Sequence, residues 1–222
     1  MPGVKEVEWY AFYDCEALTD VECGKLERIE ESAFGGCESL RSIILPSARI
    51  VELYAFNHCK ALTDVKFGKE LESIGWRAFR NCTSLERIAI PLKDNMITAD
   101  NIFQGCKNLK HVDLVEEAVL RRTIDALLLE DWKNDMDREM LSIHQILSYT
   151  SAGNYFNNDV GGTALVIRMW IRKVLRKIIH YKAQHRSLLN EAATTLQHAL
   201  PQDIVIKSVL PFLELPNMNM QR

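Results

Sequence analysis

One block of twelve residues recurs five times in the first half of this 222-residue chain, and nothing else in the sequence restricts its fold as tightly. The copies are YAFYDCEALTDV (10–21), SAFGGCESLRSI (32–43), YAFNHCKALTDV (54–65), RAFRNCTSLERI (77–88) and the more altered NIFQGCKNLKHV (101–112). Their cysteines, Cys15, Cys37, Cys59, Cys82 and Cys106, stand 22, 22, 23 and 24 residues apart. A fixed period of this size signals a solenoid, in which each unit is one coil stacked on the last because no unit can bury its apolar face alone.

The spacing within the block sets the path of a coil. Three residues before the cysteines stand Phe12, Phe34, Phe56, Phe79 and Phe103; three after them stand Leu18, Leu40, Leu62, Leu85 and Leu109. Val21, Ile43, Val65, Ile88 and Val112 follow, and two residues further on come Cys23, Leu45, Phe67, Ile90 and Leu114. Apolar residues at period two predict a short strand with one face buried. One strand per coil, stacked at roughly 4.8 Å, builds a parallel sheet along one side. An earlier apolar beat, Val7, Ile29, Val51 and Ile74, reads as the other wall of the coil. Ala11, Ala33, Ala55 and Ala78 mark a turn without room for bulk, and the phenylalanines predict a ladder through the interior.

This unit, I-x-x-x-A-F-x-x-C-x-x-L-x-x-I-x-[LIF], resembles the leucine-rich repeat of the BspA type. The resemblance covers about 4–115. It implies the fold of a family found in surface proteins of bacteria and protists and in intracellular eukaryotic proteins. In the fifth copy Ile102 replaces the alanine and PLKDNMITAD blurs the preceding beat, as expected of a terminal coil. The expected fold class is α/β: a solenoid of about five coils over 1–115 with a parallel sheet on one face. An all-α C-terminal region over 116–222 follows and partly caps it. Because Val4 already lies inside a repeat, residues upstream of this sequence are an open expectation.

The cysteine register argues against disulfides and metal. Five of six hold one structural position, no C-x2-C pair occurs, and no signal peptide points to an oxidising compartment. All five repeat cysteines are expected to be reduced and buried, accepted at the turn as small apolar residues able to offer a weak hydrogen bond to backbone. Cys23 reads as core.

If the apolar beats point inward, the residues between them face outward. These are Asp20, Glu22, Ser42, Ile44, Asp64, Lys66, Arg87, Ala89, His111 and Asp113. Stacking holds such side chains at fixed spacing, which makes the strand face of repeat proteins a usual docking surface. A protein partner on these residues is the leading functional expectation.

Beyond the repeats the spacing becomes helical. EEAVLRRTIDALLLEDW sets Val119, Leu120, Ile124, Leu127 and Leu128 on one side, and MLSIHQILSY continues with Met140, Leu141, Ile143, Ile146 and Leu147. A loop is expected at 150–163. Residues 116–159 hold nine acids against four bases, whereas 168–186 hold seven bases and no acid. There Ile167, Trp170, Ile171, Val174, Leu175, Ile178 and Ile179 form an apolar stripe opposite Arg168, Arg172, Lys173, Arg176 and Lys177. The leading reading packs the stripe inside the protein with the basic face near the acidic segment. The others are a calmodulin-like helix-in-groove contact by residues 167–186, anchored by Trp170, Val174 and Ile179, and contact with an anionic surface. Residues 200–216 resemble the opening of an F-box, which implies an alternative role as adaptor of a ubiquitin ligase. A C-terminal helix with Pro201 in its first turn is the simpler reading.

The sequence offers no nucleotide-binding glycine loop, no zinc-protease or nucleophile-elbow motif, and no histidine set at metal-ligand spacing among His58, His111, His144, His180, His185 and His198. No catalytic residue, cofactor or metal is expected, and with a net charge of -3 and no aromatic interleaving, no nucleic acid. No run approaches the ~18 apolar residues that span a bilayer, so the cytoplasm is the expected location.

Overall fold

The computed structural model describes residues 3–151 and 162–199. Its order is β1 (Glu6–Val7), β2 (Asp20–Glu22), β3 (Arg28–Ile29), β4 (Ser42–Leu45), β5 (Ile50–Val51), β6 (Asp64–Phe67), β7 (Ser73–Ile74), β8 (Arg87–Ile90) and β9 (His111–Leu114). Three helices follow: α1 (Glu117–Asp125), α2 (Glu130–Ser151) and α3 (Gly162–Ala199). The described residues fall into two compact units, one joining 3–116 with 141–151 and 162–172, the other 117–140 with 173–199. Most of the loop expected at 150–163 and all of the F-box-like segment at 200–216 lie outside the described residues.

The repeats of the first unit form a solenoid of about five coils, but with two parallel sheets rather than the one expected. β2-β4-β6-β8-β9 form the first, and the earlier apolar beat supplies the second, β1-β3-β5-β7. Each of these two-residue strands buries its second residue, Val7, Ile29, Val51 or Ile74, and exposes its first more. In the fifth coil the beat returns at Ile97, which is buried and bridges to Ile74. The beat was hidden because it lies five residues before Ile102 instead of the usual four before alanine.

A third ladder runs through the turn between the sheets. Phe12 N–H donates to Ala33 O, Phe34 to Ala55, Phe56 to Ala78 and Phe79 to Ile102 at 2.8–3.0 Å. This alignment needs two left-handed residues in most coils. The residue before alanine, Tyr10, Ser32, Tyr54 or Arg77, has φ of 53–57°. The residue before cysteine, Asp14, Gly36, His58, Asn81 or Gly105, has φ of 54–83°. Asp, Asn, His and Gly tolerate that region best, which explains the composition of the second position. Tyr10, Tyr54 and Arg77 cost more there, about 1–2 kcal/mol each, offset by the ladder bonds they allow.

The interior is the expected phenylalanine stack. Ring centroids of Phe12, Phe34, Phe56, Phe79 and Phe103 follow one another at 5.2, 5.3, 5.2 and 5.7 Å, with planes within 13° of parallel. The cysteines serve the turn: Sγ of Cys37, Cys59, Cys82 and Cys106 donates to the carbonyl of Phe12, Phe34, Phe56 and Phe79 one coil back, at 2.9–3.1 Å. Burial pushes the Cys37 thiol up to about 12 and Cys23 up to about 11. Cys15 departs from the expectation and is exposed, because among the described residues no phenylalanine carbonyl lies one coil behind it. The 23-residue third interval takes its extra residue between Phe67 and Leu71, where a Cβ on Gly68 would lie 1.8 Å from Pro46 O.

The helical part of this unit meets the final coil. His144 Nε2 lies 3.4 Å from Val112 O, and its ring packs edge-on to His111 at 5.4 Å. Arg168 pairs with Asp100, and Arg172 Nε donates to Asp94 Oδ1 at 2.8 Å. The hydrogen bond from Arg172 holds the Asp94 carboxyl below its usual range. Ile143, Leu147, Ala164, Ile167, Trp170 and Ile171 are buried.

The second unit is helical. Leu120, Ile124, Leu127, Met136 and Ile178 are buried, and Trp132 stacks on Tyr181 at 5.3 Å. Tyr181 Oη donates to Asp135 Oδ2 at 2.6 Å. Glu139, only 4% exposed, accepts from Lys173 Nζ at 2.7 Å and Lys177 Nζ at 3.0 Å. Burial alone would raise the Glu139 carboxyl, but the two lysines outweigh it and hold it below the ordinary range. Leu128, Leu141, Ile146 and Ile179, assigned to buried stripes, are exposed. Leu141 lies about 100° round the helix from buried Met140 and falls on the exposed side.

Candidate interaction surface

The pairing of the five-stranded sheet places the sequence-derived face in two straight rows. Asp20, Ser42, Asp64, Arg87 and His111 are register partners in one; Glu22, Ile44, Lys66, Ala89 and Asp113 form the other. All ten are exposed or half-exposed, so the structure brings together every residue assigned to this face. Adjacent strands lie about 4.8 Å apart, which turns the rows into a grid of fixed pitch.

Charge pairing is uneven across the grid. Arg87 Nη1 donates to Asp113 Oδ2 at 2.7 Å, and Lys66 Nζ stands 4.0 Å from Asp64 Oδ1, within ion-pairing range but beyond a hydrogen bond. Asp20 and Glu22 have no ion-pair partner among the described residues. Beside Glu22 in the same row stands Ile44, 57% exposed in the middle of a sheet. An isolated exposed leucine or isoleucine is ordinary, but one on a rigid sheet face flanked by charge is a ready anchor.

The four-stranded sheet presents the opposite situation. Lys5 pairs with Glu27 at 2.7 Å, and Arg49 with Glu72 at 2.6 Å. Arg28 bonds Glu30, reaches Glu52 at 2.6 Å, and lies 3.8 Å from Glu6, tying three coils together. Hydrogen bonds from Arg28 hold Glu30 low, and those from Lys5 do the same for Glu27. Each exposed pair adds at most about 1 kcal/mol, and together they link successive coils, with Arg28 shared among three carboxylates.

Sequence reasoning passed over one exposed feature at the turn. Tyr54 meets Trp76 edge-on at 5.0 Å, and the Arg77 guanidinium lies 3.9 Å over the Trp76 ring and donates to Tyr54 Oη at 3.0 Å. Trp9, 69% exposed, donates its indole N–H to Glu30 at 2.8 Å. The signal was the aromatic residue in one or both positions before alanine, in YAF, WYAF and WRAF.

The basic helix is largely occupied. Arg168 and Arg172 hold Asp100 and Asp94, while Lys173 and Lys177 hold Glu139 and Asp135. Of the three anchors of the groove-binding reading, Trp170 and Val174 are buried and Ile179 is exposed, so that contact would require unpacking the helix. Arg176 is exposed on the same helix. Among the described residues no group of three or more His, Cys, Asp or Glu side chains is arranged to hold a metal, and no helix is long and apolar enough to cross a membrane.

The family model of the BspA type leucine rich repeat region matches residues 3–121, in six copies. The chain belongs to the BspA-type leucine-rich repeat family. The five cysteine-anchored coils account for most of that span. Among solved structures, the BspA-type chain is similar to a leucine-rich repeat protein of T. pallidum, with 29% identity over 51% of this chain and 65% of that one, at a TM-score of 0.39. It is also similar to a leucine-rich cell surface protein of Faecalibacterium prausnitzii A2-165, with 23% identity over 44% of this chain and 31% of that one, at a TM-score of 0.31. The chain thus spans less than two thirds of either protein's length. No curated protein matches it.

Proposed function

We propose that this chain is a non-catalytic interaction module that binds a protein partner through the outer face of its five-stranded sheet. The observation that carries the reading is the asymmetry between its two sheets. One face is closed by ion pairs running from coil to coil, whereas the other offers exposed Ile44 and the unpaired acids Asp20 and Glu22 in fixed register. A rigid grid loses little conformational entropy on binding, which favours it as a docking surface. In this reading residues 1–115 form the binding domain. Residues 116–222 form a helical region of which Leu141–Arg172 covers the edge of the last coil, supported by the contacts of His144 and Arg168. The six unpaired cysteines fit a reducing compartment such as the cytoplasm.

The test compares two surface variants of the full chain by quantitative mass spectrometry of co-purifying proteins. Ile44→Asp/Lys66→Glu should lose specific partners, whereas Glu72→Lys on the other sheet should retain them. Retention of every partner by the first variant would refute the reading.

A further inference from the structure

Resting on the proposed docking face, we infer that its energetic centre is the patch of Asp20, Glu22 and Ile44 on the first two coils. We further infer that its partner presents an extended segment carrying an arginine or lysine beside a large apolar side chain. Three observations support this.

First, the charges further along the face already balance within the protein. Asp113 accepts from Arg87 at 2.7 Å, and Lys66 stands 4.0 Å from Asp64, so opposite charges there already neutralise one another in part. Asp20 and Glu22, by contrast, lack an ion-pair partner among the described residues, and neither acid is within ion-pairing range of Arg41, which precedes β4. Second, Asp20 and Glu22 occupy alternate positions of one three-residue strand, so both carboxylates rise from the same face at a spacing near 7 Å. One cationic head set between them meets both. Third, Ile44 pairs in register with Glu22 and is 57% exposed, one strand pitch away. An apolar side chain next to the base would cover Ile44 and exclude water from the charged contact, which strengthens it.

The occupant is a different protein rather than a second copy of this chain. In this chain's most basic segment, 168–186, four of the seven bases, Arg168, Arg172, Lys173 and Lys177, are committed to Asp100, Asp94, Glu139 and Asp135.

The probe is a phage-displayed library of random twelve-residue peptides panned on the purified full chain. Enriched sequences should place Arg or Lys within two residues of Leu, Ile, Val or Phe. A synthetic peptide of the enriched sequence should bind Asp20→Asn/Glu22→Gln and Ile44→Asp at least about tenfold more weakly than wild type. Lys66→Ala/Arg87→Ala should change binding less than about threefold. Enriched peptides without bases, or losses confined to the Lys66 and Arg87 variant, would overturn the assignment while leaving the docking face intact. Peptide binding indifferent to every substitution on this face would overturn both readings. Absence of any enrichment, or concentration-dependent self-association abolished by Asp20→Asn/Glu22→Gln, would also overturn the proposed partner.

Discussion

Replacing Phe56 by alanine probes the stacking that builds the solenoid. Phe56 is fully buried, and its ring stacks on Phe34 at 5.3 Å and on Phe79 at 5.2 Å. Truncating a buried phenylalanine in a close-packed core costs about 3–5 kcal/mol, because the transfer loss adds to the cavity left behind. Two ring contacts at about 0.5–1.5 kcal/mol each lie within that figure and place Phe56→Ala near its middle, about 4 kcal/mol. Phe12 is the control. It is half-buried and stacks on one ring only, Phe34 at 5.2 Å, so Phe12→Ala should cost about half as much, about 2 kcal/mol. Urea melts of the two variants, followed by circular dichroism, give the comparison. Equal losses at the two positions would refute a linear stack whose stability is a sum over neighbouring coils.

Other perturbations test separate parts of the account. Native thiol labelling should modify Cys15 rapidly, while Cys23, Cys37, Cys59, Cys82 and Cys106 react only in denaturant; fast native labelling of Cys59 would break the turn ladder. Gly68→Ala must push against the Pro46 carbonyl and should cost about 1–3 kcal/mol, measurable as an earlier urea midpoint, whereas Gly24→Ala, with open space around it, should leave that midpoint nearly unchanged. The folded-state carboxyl of Glu139 lies below its ordinary value, so its stabilisation is present above the unfolded value of about 4.3 and is lost as pH falls through the folded one. Thermal melts from pH 6 to pH 3 should therefore decline less steeply for Glu139→Gln than for wild type, and parallel curves would remove Glu139 from the pH response.

The core was legible because stacking imposes the same demand on every coil. Phe, Cys, Leu and Val recur at fixed offsets since each must fill the same interior position, and the sulfur-to-carbonyl role of the cysteines follows from the same repetition. The second sheet was legible only as an apolar wall, because strands of two residues, such as Ile50–Val51, are too short to show a period. The left-handed turn positions left their trace in Asp14, Gly36, His58, Asn81 and Gly105, a set united by backbone tolerance rather than by polarity. The outer face of the five-stranded sheet was legible residue for residue, since outward positions follow once the inward ones are set. Which of the two sheet faces is open could not be read from the sequence. That depends on Arg28 reaching Glu52 and Arg49 reaching Glu72 in the next coil, contacts between residues 23 or 24 apart. For the basic helix the sequence pointed to the acidic 116–159 segment as a whole, but that its lysines meet Glu139 and Asp135 in particular is set only once the helices fold together.

The central claim, that this BspA-type solenoid receives its partner on the five-stranded face, is tested most directly by site-specific photo-cross-linking in cells. A photoreactive amino acid placed at Ile44 should yield a discrete adduct that recurs at Glu22 and Lys66, while the same group at Glu52, on the ion-paired face, should yield none. Equal adducts from both faces, or an adduct at Glu52 alone, would contradict the account.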